Sequence, residues 1–143
     1  MFKKILVATD GSKYAEKAVG YAIAFAEAFG AELIVISVVE KAQLERLEPY
    51  AQESIQEIKE AMNLKAKQFV DEAEKKAKTR NIKVSKYVLE GDPAELVCDQ
   101  AERESVDLIV VGTRGSTGVQ RVAVGSHAIR IIRWSRRPVF IAR

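Results

Sequence analysis

From Gly112 to Ser126 the chain reads Gly-Thr-Arg-Gly-Ser-Thr-Gly-Val-Gln-Arg-Val-Ala-Val-Gly-Ser. Gly112, Gly115 and Gly125 allow the backbone to approach a ligand closely or to take a positive φ. Ser116, Thr117 and Ser126 carry hydroxyl donors, and Arg114 brings a fixed positive charge. Gly125-Ser126 opens a predicted helix, whose first turn presents unpaired N–H groups and a partial positive charge. Backbone donors, small hydroxyls and one arginine in this order make a phosphate cradle. The better-known phosphate signatures are absent: there is no Gly-x4-Gly-Lys-Ser/Thr, and no Gly-x-Gly-x-x-Gly follows the first predicted strand. A Gly-x-Ser-x-Gly nucleophile elbow is absent as well.

A cradle needs elements to hold it. Lys3–Thr9 and Glu32–Val39 are continuous apolar runs, as expected of strands buried on both faces. Between them Ser12 caps a predicted helix with apolar positions at Ala15, Ala18, Val19, Ala22, Ile23, Phe25, Ala26 and Phe29, and Gly30 follows as its C-cap. Glu40–Pro49 is mixed, and Pro49 interrupts any helix there. Tyr50 to about Thr79 is helical in pattern. A helix of about 30 residues would reach about 45 Å, so one end projects or the helix bends. Ile82–Leu89, with Lys83, Ser85 and Lys86, reads as an edge strand. Asp92-Pro93-Ala94-Glu95 is a helix start with cap, N1 proline and capping-box glutamate, and that helix runs to about Ser105. Asp107–Val111 is the fourth strand, Ser126–Trp134 the last helix and Pro138–Ala142 a short fifth strand. The alternation predicts a three-layer α/β fold, one parallel sheet with helices on both faces and right-handed crossovers, over residues 1–143 as one domain. Ligands of such sheets bind beyond the carboxyl ends of the strands. Ala8-Thr9-Asp10, Val38-Val39 and Gly112 onward meet there.

Composition sets limits on the chemistry. The chain has 143 residues, 48% of them hydrophobic and 30% charged, which is an ordinary globular balance. One cysteine, Cys98, excludes an intrachain disulfide framework, and one histidine, His127, leaves no set for a His/Cys zinc site. No apolar run is long enough to span a bilayer, Met1-Phe2-Lys3-Lys4 leads straight into a strand without a signal-peptide pattern, and a reducing cytoplasmic setting is expected. The net charge of +3 is unevenly placed: Thr113–Arg143 holds seven arginines and no acidic residue, while the first 112 residues carry −4. A basic end on a mildly acidic body points to an anionic partner. The total is too small to argue for nucleic acid, and arginines near helix ends also serve the helix dipole and the solvated surface.

These residues resemble the universal stress protein family. Nucleotide-binding members carry Gly-x2-Gly-x9-Gly-Ser/Thr after the fourth strand, matched here by Gly112, Gly115, Gly125 and Ser126. They also carry an apolar first strand ending in a pair like Thr9-Asp10 followed by Ser12. The resemblance extends over the whole chain and its terminal Pro-Val strand. It implies the adenine nucleotide alpha hydrolase-like sheet of order 3-2-1-4-5 and binding of ATP. It places adenine and ribose at Ala8, Thr9, Asp10 and the Val38 backbone. Gly112, Thr113, Arg114, Gly115, Ser116, Thr117 and Gly118 would line ribose and phosphates, with Ser126, His127 and Ala128 meeting the phosphates from the last helix. Magnesium or manganese would be held mainly through the phosphates, with few protein ligands. Members pair as dimers through the last strand, which suits Pro138–Ala142. His127 after Gly-Ser and Ala8, where some relatives have proline, depart from the family pattern.

Each residue also has a structural reading. Asp10 caps its own turn or meets ligand; His127 is a surface residue or a second donor to phosphate; Cys98 is a small core residue. Trp134 packs near the last strand or on a dimer face. The long helix covers the sheet, and its projecting half would be a partner surface. Hydrolysis needs a group that orients or deprotonates water, and Asp10 is the one acidic candidate near the three segments. The expectation is therefore a nucleotide-responsive regulator with slow or no turnover. A weak ATPase and a nucleotide-independent dimeric adaptor are the alternatives, and a flavin-binding module is a more distant one.

Overall fold

The computed structural model describes residues 1–50, 54–113 and 124–143. Five strands, β1 (Lys4–Ala8), β2 (Glu32–Glu40), β3 (Val84–Gly91), β4 (Leu108–Gly112) and β5 (Val139–Ala142), form one sheet of order β3-β2-β1-β4-β5. All four pairings are parallel. The expected strand order and helix-covered parallel sheet are both found.

Residue alternation divides the core in two. Ile5, Val7, Leu33, Val35 and Val110 face α1 (Lys13–Phe29) and α3 (Ile55–Lys78), where Ala18, Ala22, Ala26, Val70, Ala73 and Ala77 meet them. Leu6, Ile34, Ile36, Ile109 and Val111 face α4 (Pro93–Arg103) and α5 (Ser126–Trp134) through Ala94, Val97, Ala101, Ala128 and Ile131. A strand with side chains buried on both faces must read as an unbroken apolar run, which β1 and β2 do. Alanine dominates the helix faces, so the helices sit close to the sheet.

The caps are those the sequence suggests. Ser12 Oγ accepts from the Ala15 N–H at 3.2 Å, and Gly30 ends α1 at φ 65°. Asp92 Oδ2 accepts from the Glu95 N–H at 3.0 Å. Asp107, just before β4, accepts from the Lys3 and Lys4 N–H groups at 2.8 and 3.0 Å. It thereby ties β4 to the start of β1.

One segment differs from expectation. Lys41–Leu47 forms a helix, α2, followed by a 3₁₀ turn over Glu48–Tyr50 that contains Pro49. The mixed composition hid α2 because only Leu44 of it is buried. The long helix starts at Ile55 rather than Tyr50, and its 24 residues extend about 36 Å. Its first half packs on a satellite core of Leu44, Ala66 and Val39, the last near the carboxyl end of β2.

The edges are handled differently. At β3, Lys86 pairs with Asp71 and Glu74 at 2.7 and 2.9 Å. At β5, Val139, Phe140 and Ile141 are half-buried, and Phe140 contacts Tyr21 and Phe25 with ring centroids 5.0 Å away in each case. No helix among the described residues is long and apolar enough to cross a membrane.

Candidate functional site

A cavity of about 720 Å³ opens beyond the carboxyl ends of β1, β2 and β4. Its size falls within the usual range for small-molecule sites, about 300–1,000 Å³. The structure gathers Ala8, Thr9, Asp10, Val38, Gly112, Thr113, Gly125, Ser126, His127 and Ala128 around it. These are ten of the residues singled out from the sequence. Arg114, Gly115, Ser116, Thr117 and Gly118 lie outside the described residues.

The β1–α1 turn brings Asp10 to one side. Thr9 Oγ1 accepts from the Gly11 N–H at 3.2 Å, and Asp10 Oδ1 accepts from the Ser12 N–H at 2.9 Å. Asp10 thus both caps its turn and lines the cavity, so its two sequence readings are compatible. On the other side, the Thr113 carbonyl accepts from the Gly125 N–H, fixing the start of α5 against the end of β4. Thr113 N–H donates to Ala142 O at 2.8 Å. No side chain among the described residues caps α5, whose N-terminal residues Ser126, His127 and Ala128 line the cavity. An uncapped helix start leaves N–H donors and the positive end of the helix dipole for an anion.

Gly112 has a reason to be glycine that the sequence does not reveal. A Cβ there would lie 2.8 Å from the carbonyl carbon and oxygen of Tyr14. The backbone of α1 therefore crosses the end of β4 at a distance only glycine allows.

Sequence reasoning misses the far wall. Glu40 and Gln43 at the β2–α2 junction line the cavity, as do Met62, Lys65, Ala66 and Phe69 along α3. Positions 62, 65, 66 and 69 share one helix face. Their spacing is legible as a face that covers the sheet, but nothing local shows that this half of α3 reaches past the sheet. Glu40 Oε1 lies 3.5 Å from His127 Nε2, and His127 Nδ1 is buried without a hydrogen-bond partner among the described residues. Asp10 is therefore joined by a second cavity-lining carboxylate.

The arginine-rich end is partly neutralised by α4. Arg130 holds Asp92 with two bonds of 2.8 and 2.7 Å and stacks over Trp134 at 4.5 Å. Arg137 holds Glu102 with two bonds of 3.1 Å. These two side chains serve the α4–α5 side of the fold through ion pairs, which the reading of the charge as dipole complement and solvated surface does not include. Trp134 is about half exposed, and Cys98 is half-buried against the second core layer.

Burial raises the Asp92 carboxyl, but the Arg130 guanidinium and the Glu95 N–H outweigh it, so the group titrates below the usual range. A depressed folded pKa contributes stability above the unfolded value, about 3.9, and loses it as pH falls through the folded one. Asparagine also caps helices, so Asp92→Asn isolates the ion pair. We expect it to cost about 1 kcal/mol at pH 7, given the partial exposure of both partners, and almost nothing at the acid end. Urea denaturation of both proteins at pH 7 and pH 3 checks this; a cost equal at both would remove the ion pair as its cause.

The model of the universal stress protein family matches residues 1–143. The chain belongs to the universal stress protein family. Universal stress protein MJ0531 of Methanocaldococcus jannaschii is 34% identical over 143 residues, spanning all of this chain and 83% of that one. The solved structure of protein MJ0577 of the same organism superposes with a TM-score of 0.86 at 30% identity, covering 99% of this chain and 96% of that one. Two more distant universal stress proteins share the fold and were solved with adenine nucleotides. One is a complex with cAMP (24% identity, TM-score 0.69, covering 99% and 97%). The other, from Archaeoglobus fulgidus, is a complex with dAMP (18%, 0.71, 99% and 98%).

Proposed function

We propose that this universal stress protein binds ATP in the cavity above β1, β2 and β4 and acts as a nucleotide-responsive regulator. The observation that carries the reading is the N-terminus of α5, capped by no side chain among the described residues, facing a cavity whose opposite side holds Asp10. A carboxylate repels phosphate and accepts from hydroxyls, so Asp10 suits the ribose and the α5 end suits the phosphates. Ala8, Val38 and the α3 face supply apolar surface for adenine. Thr113 and Ser126 add hydroxyls, and the family motif assigns Arg114, Gly115, Ser116, Thr117 and Gly118, which lie outside the described residues, to the ribose and phosphates. Among the described residues no group of three or more His, Cys, Asp or Glu gathers to hold a metal. In this reading magnesium or manganese is held mainly through the phosphates.

Turnover is slow in this reading, with Glu40 beside His127 as the pair that would orient water if hydrolysis occurs. The half-buried edge of β5 suits pairing with a second copy of the chain, and a cytoplasmic setting suits the single free Cys98.

Denaturing freshly purified protein should release an adenine nucleotide. Protein stripped of it should bind Mg-ATP with a micromolar constant by calorimetry, with phosphate release far slower than dissociation. Absence of nucleotide and of heat up to millimolar ATP would overturn the reading and leave the dimeric adaptor.

A further inference from the structure

Phe69, on α3, contacts the turn that carries Asp10, although 59 residues separate the two in sequence. A Cβ added to Gly11 would fall on the ring, 2.8 Å from Phe69 Cδ1 and nearer still to Cε1 and Cζ. Gly11 has φ 76°, a conformation reserved largely for glycine. Glycine leaves a turn free to move unless its surroundings hold it. Within the turn, the Thr9 and Asp10 side chains accept from the Gly11 and Ser12 N–H groups at 3.2 and 2.9 Å. Those bonds give the turn its shape. The Phe69 ring closes over it from another element, and so sets where the shaped turn sits. Phe69 also lines the large cavity, so the same ring forms part of its wall.

We infer that Phe69 is a positioning residue for the nucleoside end of the cavity: its ring fixes Gly11 and, through the peptide bond, the place of the Asp10 carboxylate. The inference rests on the nucleotide reading above. A hydroxyl-to-carboxylate hydrogen bond requires oxygens about 2.5–3.0 Å apart. A carboxylate on a turn that shifts by an ångström holds that bond for only part of the time. Phe69 thereby sets the preference for a ribose over a deoxyribose without touching either hydroxyl.

The test compares ATP with 2′-deoxy-ATP by calorimetry on stripped full-length protein. Wild type should favour ATP about tenfold, the value of one charge-assisted hydrogen bond. Phe69→Leu should bring the ratio to about twofold or less. Phe69→Met, whose unbranched side chain adapts to irregular space, serves if the leucine variant folds poorly. Val70→Ala is the control, since Val70 is buried in the same helix against the sheet core and not against Gly11. It should lower stability and keep the tenfold ratio. A tenfold ratio retained in both Phe69 variants overturns the inference, as does its loss in Val70→Ala. Wild-type protein that binds both nucleotides equally also overturns it while leaving the nucleotide reading intact. Wild-type protein that binds neither overturns both.

Discussion

Ser126→Glu should weaken Mg-ATP binding about a hundredfold while leaving the protein as stable as before, or slightly more so. Ser126 is the first residue of α5, exposed and at the cavity wall. An acid in the first turn of a helix is favourable by about 0.3–1 kcal/mol, because the peptide dipoles place positive charge there. The same carboxylate would occupy the place proposed for a phosphate. Loss of one hydrogen bond to a charged group costs about 1.5–3 kcal/mol, and repulsion between like charges adds to it. Few substitutions raise one quantity and lower the other so far. Ser126→Ala should show the smaller effect, about tenfold. Thermal denaturation and calorimetry on the three proteins read both signs. Unchanged affinity in the glutamate variant would mean that phosphate sits elsewhere.

Gly112→Ala should cost about 3 kcal/mol, at the upper end of overpacking penalties. The added methyl meets the Tyr14 backbone at 2.8 Å rather than a side chain that could turn aside. In a chain of this length that lowers the melting temperature by about 10 °C. Gly20 gives the opposite result. It is exposed on α1, and a methyl added there would have no neighbour within 4 Å, so Gly20→Ala should stabilise by about 0.5–1 kcal/mol. If Gly112→Ala melted like wild type yet failed to bind nucleotide, Gly112 would act on the ligand alone. A loss of both means that the motif's first glycine is first a packing residue.

Gly112 shows how one residue answers to two levels. Its position in a spaced glycine motif is legible along the chain, and that spacing points to phosphate. The crossing of α1 over β4 is not legible, because Tyr14 is 98 residues away in sequence. The same holds for α3. Its period marks a helix, and its alanines mark a sheet-facing side. Whether Met62, Lys65 and Phe69 lie over the sheet or beyond its end depends on where the helix starts relative to β2. Glu40 and His127 are a third case, since a strand end and a helix start meet only once β2, β1 and β4 are aligned.

The α/β alternation, the parallel sheet, the caps at Ser12 and Asp92, and the cluster of strand ends where a ligand would bind are all written along the chain. Period, capping residue and glycine spacing are local properties, and local free energies of about a kilocalorie each add from residue to residue. Four features emerge only on folding: the α3 wall of the cavity, the Phe69–Gly11 contact, the Glu40–His127 approach and the pairing of Arg130 and Arg137 with α4. Each joins residues far apart in sequence, and their distances are set by helix–sheet packing, where ångström-scale fit decides which side chains meet.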